Sequence, residues 1–216
     1  QGTAMEAGFS TRVLDMQALD LQNGRFFDPA GELVNRCFKL YPWEWMVDES
    51  PDGCLAEMEW LEPIWKLVMS NKAILATLYE LFPDSPYVLP CYLSRPRSGL
   101  FCKKPVFSRE GHNVSVVDIR NWEEHVRIAE TEGDYNTGAY VYQEYVEPTV
   151  YSGRYPVIGS WIIGGEAVGI GIRENRMEVT DNLSEFVPTY YRIKSNYLCA
   201  SGAGRTDVVM PRLVGT

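Results

Sequence analysis

Apolar and polar positions change period several times along the chain, and the change is sharpest in the middle. From Leu100 an apolar run delivers Lys103 and Lys104 to its end, Pro105 blocks its continuation as a central strand, and a short polar loop holding Arg109 and Gly111 leads into a β-branched run ending at Val117. The pattern predicts strand, flexible loop, strand. Such a loop can lay backbone N–H groups over a phosphate while a lysine at the strand end supplies the cation. A solvated hairpin that merely contains lysine and glycine satisfies the same pattern.

Elsewhere, Thr3 to Ala7 reads as the end of a helix and Thr11 to Leu14 as a strand. Turn signals at Asn23-Gly24 and Pro29-Ala30-Gly31 bracket a small hairpin, Arg25 to Asp28 with Glu32 to Val34. Cys37 to Tyr41 predicts another strand, which ends at the aromatic corner Pro42-Trp43-Glu44-Trp45, where the tryptophans are expected to pack inside. From Trp60 to Phe82 the spacing is helical, with Trp60, Ile64, Leu67 and Val68 on one face and Ile74, Leu75, Leu78, Leu81 and Phe82 on another. Ser70-Asn71 are good capping residues, so the region divides into two helices and Lys72 stands in the first turn of the second. A cation there opposes the helix dipole unless it meets an anion or points into water.

Pro83 to Pro96 is turn-like. Asn121 to Glu130 predicts a short surface helix opened by an Asn121-x-x-Glu124 capping box, and Gly133 to Gly138 a loop. Tyr140 to Tyr145 alternates as a strand carrying Gln143 and Glu144 near its end. Tyr155 to Ile163 and Glu166 to Ile172 predict a hairpin closed by Gly164-Gly165, with Arg173 at its far end. From about Tyr191 the chain turns polar and reads as a tail.

Composition narrows the classes. With 216 residues, 45% hydrophobic and 23% charged, the chain can bury a core as one domain or two lobes. A net charge of -9 argues against a general nucleic-acid binder, yet leaves room for a local cluster of cations around a nucleotide. Five widely spaced cysteines and two histidines form no zinc or disulfide framework, which points to reduced thiols in the cytoplasm. No apolar run approaches the roughly 20 residues that cross a bilayer, so no membrane role is expected.

The wording Phe38-Lys-Leu-Tyr-Pro-Trp-Glu-Trp-Met46, Trp60-Leu-Glu-Pro-Ile-Trp65, Ser70-Asn-Lys-Ala-Ile-Leu75, Lys104-Pro-Val-Phe-Ser-Arg-Glu-Gly111, Pro156-Val-Ile-Gly-Ser-Trp161 and Gly169-Ile-Gly-Ile-Arg173 resembles the glutathionylspermidine synthase family. The resemblance covers residues 1 to 190; residues 191 to 216 match nothing. It implies an α/β (α+β) fold of the ATP-grasp type, with antiparallel-rich mixed sheets and flanking helices, here an incomplete ATP-grasp domain.

The activity implied is that of an ATP-dependent carboxylate-amine ligase, which joins a glutathione-like peptide acid to a polyamine or other amine through an acyl phosphate. ATP and Mg²⁺ are the implied cofactors. By motif matching, Lys72 and Lys104 are ATP-contacting lysines, Gly111 is a loop glycine, Gln143, Glu144, Tyr145 and Val146 form the hinge that meets the adenine, and Arg173 steadies the transferring phosphate. Strand alternation sends Lys103 to the opposite face and excludes it. The resemblance places the metal-binding residues upstream of Gln1, so the chain alone is expected to lack turnover and to associate with itself or with a partner. A catalytically inactive nucleotide-binding or regulatory domain of the same fold, or a structural domain, remains the alternative.

Overall fold

Tight turns and alternating runs become strands, and the computed structural model, which describes residues 1–128, 131–135 and 138–189, is a mixed α/β chain whose described strands pair antiparallel apart from one parallel pair. The expected fold class holds. The chain divides into two units, residues 1–74 and 75–216.

In the first unit a short helix α1 (Gly2–Glu6) precedes a three-stranded sheet of β1 (Asp20–Gln22), β2 (Arg25–Phe27) and β3 (Leu33–Val34). Asn23 and Gly24, with φ of 51° and 75°, close the β1–β2 turn in the left-handed region that asparagine and glycine tolerate. Strand β4 (Arg36–Phe38) leads into α2 (Trp43–Glu49) and α3 (Pro51–Cys54), and the chain returns as β5 (Glu59–Leu61), parallel to β4. Phe26, Trp43 and Met46 form the core. Trp60 stands edge-on to both rings, 5.4 Å from Trp43 and 5.7 Å from Phe26.

Two expectations are corrected here. Thr11 to Leu14 lies in no strand. Trp60 belongs to β5, not to a helix, because its indole completes the aromatic core and its backbone pairs with Cys37. Long-range packing of this kind overrides a helical spacing of apolar residues. The remaining helical run shortens to a single turn after Pro63 followed by α4 (Leu67–Ser70). Of the corner tryptophans Trp43 is buried, whereas Trp45 is partly exposed.

The helix α5 (Ala73–Leu81) leads into the second unit. Its start is as predicted, since the Asn71 side chain accepts the Ala73 N–H at 2.8 Å. The main sheet holds β6 (Cys91–Tyr92), β7 (Gly99–Pro105), β8 (Ser115–Arg120), β9 (Glu123–Ile128) and β10 (Tyr140–Glu144) in the order β6-β10-β7-β8-β9. A second sheet holds β11 (Tyr155–Ile163), β12 (Glu166–Asn175) and β13 (Glu185–Val187), with Gly164 and Gly165 closing the β11–β12 hairpin as expected.

The predicted surface helix at Asn121 is instead β9. Asn121 and Trp122 both have positive φ, 51° and 70°, and Arg120 pairs with Glu123 across them, which makes a two-residue hairpin. The alternating sequence of His125 to Ile128 suits a strand, and the capping-box spacing of Asn121 and Glu124 was coincidental. The loop expected from Gly133 to Gly138 is described only in part, and the expected tail from Tyr191 lies outside the described residues.

Candidate functional site

Strand alternation gives the main sheet two chemically different faces. Lys104, Cys102, Val141, Gln143 and Cys91 share the front, because Val141 pairs with Lys104 and Gln143 pairs with both Cys102 and Cys91. Ala76, Leu75 and Tyr79 of α5 pack with Cys91 and Val141 on that face. Phe101, Val117, Ile119 and Tyr142 form the core at the rear.

Lys103 and Lys104 are neighbours in sequence and meet opposite partners. Lys104 donates from Nζ to Gln143 Oε1 at 2.7 Å. Lys103 lies against the Glu124 carboxylate at 2.6 Å and over the Tyr140 ring, 4.7 Å from its centre. Burial works against the charge of Lys103, but the Glu124 carboxylate outweighs it and holds the ammonium above its ordinary range. Among the described residues Lys104 is partnered by a neutral amide, and no carboxylate pairs with it. Exclusion of Lys103 from the site set is consistent with this arrangement.

Gly111 lies in the loop between β7 and β8 with φ of 74°. A Cβ at this position would stand 2.5 Å from the Thr180 carbonyl oxygen and 2.9 Å from Val179 Cγ1, so the glycine permits both the left-handed turn and the close approach. Thr131 braces the same loop, its hydroxyl donating to the Gly111 carbonyl and accepting the Val114 N–H. The segment that Gly111 abuts joins β12 to β13, and side-chain hydrogen bonds of Asn175 and Asp181 shape it. Burial pushes the Cys102 thiol up; Lys104 opposes that rise and Glu178 adds to it. Glu178 is therefore an acidic neighbour of the front face that the sequence reading missed, for no periodicity marks a residue in a turn.

The residues expected to form the hinge, Gln143 to Val146, lie where β10 ends. The Glu144 N–H donates to Pro90 O at 2.7 Å and the Tyr145 N–H to Leu100 O at 3.0 Å. Val146 is exposed, and its N–H has no backbone acceptor among the described residues. Arg173 lies in β12 opposite Val157 and Phe186, two residues before the strand ends, with its guanidinium 5.9 Å from the Phe186 ring centre. The structure thus brings Lys104 and Gln143 into contact and seats Gly111 against the segment that follows the strand of Arg173. Lys72, between the cap Asn71 and the first residue of α5, belongs to the other unit. Among the described residues no three His, Cys, Asp or Glu side chains form a metal-holding group, and no helix is long and apolar enough to cross a membrane.

Comparison with known proteins gives the class first. The chain is 35% identical over 197 residues to a Haemophilus influenzae protein provisionally named an acid–amine ligase, a match covering 87% of this chain and 50% of that protein. It is 36% identical over 140 residues to the trypanothione synthetase of Crithidia fasciculata, covering 63% of this chain and 21% of the relative. It is also 27% identical over 215 residues to the bifunctional glutathionylspermidine synthetase/amidase of Escherichia coli, covering 85% and 34%. These relatives are named as ligases or synthetases, and the chain spans half or less of the length of each. The family model described as glutathionylspermidine synthase preATP-grasp matches residues 1–192. The chain belongs to the glutathionylspermidine synthase family.

Proposed function

We propose that the chain is the nucleotide-binding part of an ATP-dependent carboxylate–amine ligase of the cytoplasm. The observation that carries this is the 2.7 Å contact between Lys104 and Gln143, two motif residues on different strands of one sheet face. The donor set fits an adenine nucleotide. Lys104 offers a charge no carboxylate neutralises among the described residues, and the exposed Val146 offers an N–H to a base edge. Bound ATP would supply the phosphoryl group that activates a carboxylate for attack by an amine, with Mg²⁺ held by residues outside this chain.

Lys104 would hold phosphate oxygens, Gly111 would let its loop lie close to them, and Gln143 to Val146 would flank the base. Arg173 would act on the charge that grows during transfer. A glutathione-like peptide and a polyamine are the substrates proposed, supported by the names of the relatives. Titration calorimetry of the chain with ATP tests the proposal. We expect saturable binding that Lys104→Ala weakens about tenfold or more, in line with the loss of a charge-assisted contact to phosphate. No binding by the unaltered chain would overturn it. In a complete ligase, Arg173→Ala should lower kcat more than it weakens ATP binding, since its contribution is made mainly in the transition state.

A further inference from the structure

Behind the proposed nucleotide face, three strands are tied through one carboxylate. Lys103 in β7 reaches past β8 to Glu124 in β9, which takes its ammonium at 2.6 Å on Oε1. The other oxygen of Glu124 accepts the Tyr142 hydroxyl, from β10, at 3.2 Å. Lys103 and Tyr142 are themselves register partners. The Lys103 and Glu124 side chains are only 23% and 18% exposed, so water screens the pair weakly. Burial pushes the Tyr142 hydroxyl up, with the Glu124 carboxylate adding to the rise, so it stays a donor.

The residues that Glu124 holds at the rear are the chain neighbours of the residues that meet at the front. Lys103 precedes Lys104, and Tyr142 precedes Gln143. A peptide plane joins the members of each couple, so fixing Lys103 against Tyr142 fixes the offset at which Lys104 meets Gln143. Resting on the nucleotide-binding function proposed above, we infer that Glu124, through Lys103 and Tyr142, is a positioning residue that sets the ATP affinity of the Lys104–Gln143 pair from the opposite side of the sheet. It touches no nucleotide itself. Loss of its charge frees β7 and β10 to shear, and the front ammonium then meets phosphate at a worse distance and angle.

The test compares ATP dissociation constants and melting temperatures for the 216-residue chain and its variants. Glu124→Gln and Lys103→Met should each raise Kd about five- to tenfold, the size of one misplaced charged contact, while Lys103→Arg, which keeps the pair, should stay within about twofold. Val117→Ala, a cavity in the rear core that leaves every charge in place, serves as the control for lost stability, because Val117 is fully buried there. It should lower the melting temperature at least as far as Glu124→Gln does and leave Kd within about twofold. Kd unchanged in Glu124→Gln and Lys103→Met, with the unaltered chain binding ATP, would overturn the positioning role alone. So would Val117→Ala weakening ATP as much as Glu124→Gln, since the effect would then be general loosening. An unaltered chain that binds no ATP is a separate result, and it removes the functional proposal and this inference together.

Discussion

Two adjacent lysines stand in different electrostatic surroundings because of what each meets. The carboxylate beside Lys103 cancels its charge at the site, while the amide beside Lys104 leaves the charge whole. Gly111 is equally specific, since its φ of 74° and the Thr180 carbonyl oxygen at 2.5 Å from a Cβ each disfavour any side chain. Gly111→Ala should cost about 1–3 kcal/mol of unfolding free energy, from backbone strain and displacement of the Thr180 segment. Urea denaturation measures it, and an unchanged midpoint would show that the loop yields freely. The separation of Lys103 from Lys104 was legible in the sequence because alternation is a property of the chain itself. The closeness of Glu178 to Cys102 was not, because it depends on where a turn from the second sheet comes to rest.

At the scale of elements, turns with a backbone demand were the most legible. The Gly164-Gly165 hairpin and the Asn71 cap stand where the sequence puts them, since each rests on local chemistry. The Asn121-Trp122 turn hid because tryptophan at a φ of 70° is not a residue that announces a hairpin. Trp122 is 55% exposed, and among the described residues it donates only its backbone N–H, to Arg97 O. Replacing it with glycine keeps that bond and removes the side-chain penalty. Trp122→Gly should therefore stabilise the chain by about 0.5–1 kcal/mol, seen as a higher urea midpoint. A lower midpoint would mean that the indole contributes packing beyond what its exposure suggests. The parallel pairing of β4 with β5 was out of reach for the same reason that Trp60 looked helical: nothing local encodes a partner 23 residues away.

For the whole molecule, the ends of β11 and β12 near the Gly164-Gly165 turn present Trp161, Ile162, Ile163 and Val168 to solvent, each more than half exposed. Self-association, expected from the sequence and proposed for this chain alone, follows from such a surface in water. Sedimentation should show a mass that rises with concentration, and Trp161→Thr with Ile163→Thr should reduce the rise; a monomer at every concentration would refute it. The neighbouring lysines have one more consequence, for errors of assembly. If β7 slid by a single residue, its two faces would trade lysines, and a crude census of charge would detect no change. What marks the mistake is Pro105, which now closes the strand opposite Tyr140, just before the Val106 N–H meets Ala139 O. A slipped strand would carry the proline, which has no N–H, into that bonded position, so the imino acid proofreads a register that the charges cannot.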